Sequence, residues 1–103
     1  MIPSSLRIIG KEYTVQQVSA EEFPNSYGET YTADSLIKIR TGQHLYDEAD
    51  TLLHECIHAL DERFQLNLTE RQVYCTTVGL LSLFKDNPNM LQYLVNAIDK
   101  RRL

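Results

Sequence analysis

Tryptophan is absent from this chain of 103 residues, cysteine occurs only twice, and glycine and proline are scarce. Two cysteines cannot build the disulfide framework of a small secreted domain, and so little glycine and proline excludes collagen-like and low-complexity chains. Cys56 and Cys75 both lie in apolar helical patterns, where we expect them to be reduced and packed. The length allows one hydrophobic core, so we predict that residues 1–103 form a single domain.

The chain also lacks a long hydrophobic run and a basic stripe, and three of its few cations are grouped at Lys100, Arg101 and Arg102. No stretch approaches the roughly 18 consecutive apolar residues of a membrane span, and the first residues lack the basic, then apolar pattern of a secretory signal. The formal net charge of −4 argues against binding along a nucleic-acid backbone. We therefore expect a cytoplasmic protein with neither a membrane nor a nucleic acid as partner.

The hydrophobic pattern divides the chain into a β half and a helical half. Short β-prone runs predict about three to four strands at residues 6–9, 13–18, 27–32 and 36–40. From Leu45 onward, apolar residues recur every three or four positions, which is typical of amphipathic helices. The pattern predicts an α+β fold in which a small N-terminal antiparallel or mixed sheet packs on about three C-terminal helices.

Boundary signals separate the three predicted helices. The first runs from Leu45 to Phe64, and the capping-box sequence Thr69–Gln72 begins the second. Pro88 is expected at the first position of the third helix. The inner face of that last helix is predicted to consist of Leu91, Leu94, Val95 and Ile98.

The first predicted helix carries the pattern His-Glu-x-x-His at residues 54–58. Residues four apart project from the same helix face, so the imidazoles of His54 and His58 can chelate one metal ion. Glu55 then lies at the flank, where its carboxylate can take a proton from an attacking water molecule. The apolar stripe of the helix points elsewhere, which leaves a merely solvated polar face as the alternative interpretation.

A zinc ion bound by two histidines and water needs one more protein ligand. Glu70, in the first turn of the second helix, is the best candidate if the two helices pack antiparallel. The alternative is that Glu70 only complements the helix dipole. Asp61 is the second candidate ligand. Because its side chain is short, we rather expect Asp61 to contact a histidine N–H or simply to be solvated.

A peptide substrate also needs a surface along which it can bind. Residues 36–40 precede the histidine helix, and an exposed edge strand there would add a peptide as an extra strand. We therefore consider Ile37, Lys38 and Ile39 as substrate-binding residues. The alternative is an ordinary strand inside the sheet.

Residues 51–60 resemble the active helix of the zincin metallopeptidases. The strand before it and the capped acidic helix after it resemble the small ImmA/IrrE-type peptidases of phages and mobile elements, over roughly residues 27–88. The resemblance implies a gluzincin-like site with His54 and His58 as ligands, Glu55 as base and an acid on the next helix as third ligand. Those relatives carry an E-A-N-x-F-A-like run on that helix, of which only Glu70 is present here.

Together these patterns predict a zinc-dependent endopeptidase that binds one Zn²⁺ ion. The resemblance implies a protein or peptide substrate, with repressor-like regulators as its target class. The alternative is a small acidic interaction module that binds zinc without turnover and acts as a decoy or inhibitor of a host protein. The sequence does not define an oligomeric state.

Overall fold

Four short strands form one mixed sheet in the computed structural model, which describes residues 1–101. β1 (Ser5–Ile8) pairs antiparallel with β2 (Lys11–Val18). β2 pairs parallel with β4 (Leu36–Arg40), which pairs antiparallel with β3 (Gly28–Tyr31). The spatial order β1-β2-β4-β3 makes β1 and β3 the edge strands.

Of the two interpretations of residues 36–40, the exposed edge strand is wrong and the ordinary strand inside the sheet is confirmed. β4 is hydrogen-bonded to β2 on one side and to β3 on the other, and the side chains of Ile37 and Ile39 are fully buried. Because both backbone edges of β4 are occupied, Ile37, Lys38 and Ile39 cannot add a peptide as an extra strand. The free edge near the histidine helix belongs to β3.

Three helices follow the sheet: α1 (Leu45–Phe64), α2 (Glu70–Asp86) and α3 (Pro88–Asp99). α1 packs against one face of the sheet, and α2 packs against α1. The core between the sheet and α1 is formed by Ile8, Tyr13, Val15, Ile37, Ile39 and Ala59. The α+β prediction is therefore confirmed, with a mixed sheet of four strands and three helices.

The last helix departs from the prediction of a buried inner face. α3 packs against α2, and no residue of α3 is buried. Its apolar stripe keeps 37% to 71% of each side chain exposed, as measured for Leu91, Leu94, Val95 and Ile98. The stripe stays exposed because a single neighbouring helix covers too little of α3.

The two cysteines also differ in their surroundings. Cys56 on α1 is half-buried against the core, whereas Cys75 on α2 is exposed, so the prediction that both are packed is wrong for Cys75. Both are free thiols. Burial, assisted by the negative charge of Glu55, raises the pKa of Cys56 to about 11. Across residues 1–101, no helix combines the length and the apolar character needed to cross a membrane.

Candidate metal centre

One turn in the middle of α1 brings together His54, Glu55 and His58. Because residues i and i+4 share a helix face, the two imidazole rings lie side by side with centroids 4.9 Å apart. The possible ligand atoms of the three residues all lie within 4.8 Å of one another. The two histidine side chains are 18% and 30% exposed, so this group borders solvent while resting on the packed helix. The group is close enough to hold a metal ion.

The carboxylate of Glu70 reaches both histidines from the start of α2. Its Oε1 lies 2.6 Å from Nε2 of His54, and its Oε2 lies 3.1 Å from Nε2 of His58. Burial alone would raise the pKa of Glu70, but the hydrogen bond with His54 and the proximity of both imidazoles hold the pKa below its usual value. Glu70 therefore lies in the same cluster as the two histidines, where a third ligand was expected.

Local capping interactions fix where α2 begins and hence where Glu70 lies. The Thr69 hydroxyl accepts a hydrogen bond from the backbone N–H of Gln72 at 3.1 Å. In return, the side-chain oxygen of Gln72 accepts one from the backbone N–H of Thr69 at 2.8 Å. This is the capping box that the sequence predicts. Asp61, the second candidate ligand, instead accepts a hydrogen bond from the Leu68 amide at 3.2 Å in the connection between the two helices.

Glu55 is a buried carboxylate with one defined hydrogen-bond donor. Only 6% of its surface is exposed, and the Thr30 hydroxyl lies 2.8 Å from its Oε1 and 3.0 Å from its main-chain oxygen. Burial raises the pKa of Glu55, while the Thr30 hydrogen bond and the two neighbouring imidazoles partly oppose that rise. A carboxylate that is both buried and held in this way is suited to accept a proton within a cleft.

Open clefts border the cluster on both sides. One of about 540 Å³ lies along β3 and is lined by Glu29, Thr30, Tyr31, Glu55, His58 and Glu70, among others. The other, of about 330 Å³, is lined by residues that include Tyr27, His54 and Tyr74. The Tyr31 hydroxyl donates a hydrogen bond to Glu29, and this bond is the main cause of the raised pKa of Tyr31. The histidine–glutamate cluster is therefore bordered by open clefts, one of which includes residues of the edge strand β3.

Sequence reasoning anticipated the cluster more completely than its surroundings. The structure brings together the four residues proposed from the sequence, namely His54, Glu55, His58 and Glu70. It leaves Ile37, Lys38 and Ile39 within the sheet, away from a free edge. Thr30 was missed. The alternating pattern of residues 27–32 places Gly28 and Thr30 on one strand face, but no local signal says that this face contacts α1.

Comparisons of this chain with protein-family models, with curated proteins and with solved structures found no match.

Proposed function

We propose that this protein is a zinc-dependent peptidase that uses His54, His58 and Glu70 to hold the metal and Glu55 as the general base. The observation that carries the proposal is the meeting of two imidazole Nε2 atoms and one carboxylate beside a second, buried carboxylate in an open cleft. The resemblance of residues 51–60 to the zincin active helix points to the same chemistry.

The donor set fits zinc in type and, for His58, in spacing. Two imidazole nitrogens and a carboxylate are the three protein ligands of one common class of open zinc site. Ligands of a tetrahedral zinc ion lie roughly 2.0–2.2 Å from the metal and so a little over 3 Å from one another. The 3.1 Å separation from Glu70 to His58 is close to that value, whereas the 2.6 Å separation from Glu70 to His54 is a hydrogen-bond distance that would have to widen by roughly 0.7 Å or more to admit zinc. A bound zinc ion supplies Lewis acidity toward water and toward the scissile carbonyl group.

The side chains of the cluster divide the work of hydrolysis between them. Glu55 takes a proton from the water whose oxygen forms the new bond to the carbonyl carbon. The carbon–nitrogen bond then breaks as Glu55 returns that proton to the departing amine. The neutral imidazoles of His54 and His58 and the carboxylate of Glu70 would hold the metal. The products are a carboxylic acid and an amine, so one water molecule is consumed for each bond cleaved.

The substrate in this proposal is an extended segment of a protein, bound along β3. An edge strand offers unpaired backbone N–H and C=O groups, to which an extended peptide can add as another strand. β3 takes the place that the sequence assigned to residues 36–40, and it borders the cleft that contains Glu55 and His58. The resemblance to ImmA/IrrE-type peptidases makes repressor-like regulators the first target class to test.

The test compares the wild-type protein with Glu55→Gln. Elemental mass spectrometry should find about one zinc per chain in both proteins, because this substitution leaves the proposed ligands intact. Only the wild type should cleave a proteome-derived peptide library, with new termini identified by mass spectrometry. Glu48→Gln makes the same chemical change on α1 outside the clefts and should behave like the wild type.

Two results would contradict the proposal in different ways. A Glu55→Gln protein as active as the wild type would remove Glu55 as the base. One zinc per chain without hydrolysis of any library peptide would remove the catalytic role and favour a zinc-binding interaction module.

A further inference from the structure

Thr30 on β3 forms a side-chain hydrogen bond with the candidate general base, Glu55. The hydroxyl oxygen of Thr30 lies 2.8 Å from Oε1 and 3.0 Å from the main-chain oxygen of Glu55. Among residues 1–101, Thr30 is the side chain that hydrogen-bonds the Glu55 carboxylate. The hydroxyl has one hydrogen, which it donates to the closer carboxylate oxygen or shares with the main-chain oxygen, and either arrangement holds the carboxylate beside β3.

Gly28, two residues earlier on the same strand face, allows β3 to approach α1 closely enough for this contact. A Cβ atom at Gly28 would lie 2.7 Å from Cγ2 of Thr51 and 3.1 Å from Cγ of Glu55. The 2.7 Å contact is too short for a real Cβ atom and the 3.1 Å contact is tight, so a larger residue at this position would require the Thr51 side chain or the strand to shift. The lack of a side chain at Gly28 therefore sets the spacing at which the Thr30 hydroxyl reaches Glu55.

We propose that Thr30 is a positioning residue that holds the Glu55 carboxylate in its working orientation. This inference rests on the proposed peptidase function, in which Glu55 is the base. A glutamate side chain has three rotatable bonds, and a base that is misplaced by about 1 Å can lose about 100-fold in rate. The hydroxyl of Thr30 removes that freedom before a substrate arrives, because the contact lies within the protein alone.

The position of Thr30 on an edge strand links substrate binding to the base. Thr30 points its side chain toward Glu55, while the outer backbone edge of β3 remains free for an added peptide. Removal of the hydroxyl leaves that backbone edge unchanged. We therefore expect substrate affinity to persist while the chemical step slows, which a general loss of structure would not produce.

The first experiment measures kcat and KM for Thr30→Val and Thr30→Ser with the library peptide that the wild type cleaves fastest. Thr30→Val, which keeps the shape and removes the hydroxyl, should lower kcat by about 10- to 100-fold and leave KM within about twofold. Thr30→Ser should restore most of kcat. Zinc content should stay at about one per chain. Thr14→Val, an exposed strand threonine on β2, is the matched control.

An unchanged kcat in Thr30→Val, or a rise in KM alone, would overturn the positioning role. So would an equal loss of kcat in Thr30→Ser, because serine keeps the donor hydroxyl.

The second experiment uses metal-free protein and needs no activity. In a double-mutant cycle, the urea midpoints of Thr30→Val, Glu55→Met and the double variant are compared with that of the wild type. If the hydroxyl holds the carboxylate, the midpoint changes caused by Thr30→Val and Glu55→Met will be clearly non-additive. The midpoint changes caused by Thr14→Val and Glu55→Met will be additive. Additive midpoints for Thr30→Val would overturn the inference even if the wild type is a peptidase. If the midpoint changes are non-additive but the wild type hydrolyses no peptide, the contact between Thr30 and Glu55 is supported and the proposed function is wrong.

Discussion

α1 and α3 are both amphipathic helices, yet the fold treats them differently. α1 lies between the sheet and α2 and buries Glu55, Ile57 and Ala59. α3 packs against α2 and buries none of its residues. Helical periodicity therefore predicts that a helix forms, but not how many neighbours will cover its apolar face. The number of neighbouring elements makes the difference.

The difference between the two helices coincides with the location of the candidate metal centre. The histidine–glutamate cluster is in the middle of α1, where β3 approaches from one side and the start of α2 from the other. Within residues 1–101, no α3 residue lines either cleft that borders this cluster. Ligand and base groups need neighbours that restrict their rotamers, and only the packed helix supplies such neighbours.

The largest expected effect contrasts a core isoleucine beneath α1 with an exposed isoleucine on α3. Ile37→Ala should reduce the free energy of unfolding by about 2–5 kcal/mol, because it opens a cavity in the fully buried core. Ile98 is 71% exposed, so Ile98→Ala should reduce the free energy of unfolding by less than about 1 kcal/mol. Urea unfolding of both variants measures the contrast, and equal losses would show that Ile98 on α3 is as well packed as the core beneath α1.

The next contrast lies within α1, between two histidines. His58→Ala should weaken zinc binding by about 100-fold or more, since apparent zinc affinities of roughly 10–16 kcal/mol are shared among a few ligands. His44, which is exposed at the start of α1 and makes no capping hydrogen bond, is the control. Competition with a chromophoric chelator measures both affinities. Equal zinc affinity in His58→Ala and His44→Ala would contradict the proposed metal centre.

The sequence predicts those features that depend on residues near one another in the chain. Four-residue spacing places His54 beside His58 in any regular helix, and the capping box of Thr69 is confirmed at the start of α2. Glu70 was anticipated because a short connection between α1 and α2 turns the chain back. Each of these inferences needs only helix geometry and a few neighbouring residues.

Features that depend on distant pairings could not be predicted. β4 reads as a strand in the sequence, but its interior position follows from pairing with both β2 and β3. The contact between Thr30 and Glu55 spans 25 positions in the chain and requires that β3 lie against α1. The exposure of Ile98 likewise depends on which elements happen to cover α3. Hydrophobic periodicity carries no information about any of these choices.

A smaller effect separates the two candidate third ligands. Glu70→Ala should weaken zinc binding by about 10-fold or more, because the carboxylate lies against both histidines although its side chain is 70% exposed. Asp61→Ala should leave the zinc affinity unchanged, since its carboxylate accepts a hydrogen bond from the Leu68 amide. The same chelator competition decides between them. A loss of affinity in Asp61→Ala alone would transfer the third ligand to Asp61.

The smallest effect concerns the residues at the starts of α2 and α3. Thr69→Ala should reduce the free energy of unfolding by about 1 kcal/mol, because it removes the hydroxyl that satisfies the Gln72 amide. Asn87 occupies the corresponding position before α3 but makes no capping hydrogen bond to that helix; its side chain instead donates one exposed hydrogen bond to the main-chain oxygen of Leu83 on α2, so we expect Asn87→Ala to cost no more than Thr69→Ala. Thr69→Ala should also weaken zinc binding a few-fold, since a frayed first turn no longer holds Glu70 beside His54. Urea midpoints and zinc titrations of both variants measure these effects, and a larger loss of zinc affinity in Asn87→Ala than in Thr69→Ala would mean that the start of α2 does not position the cluster.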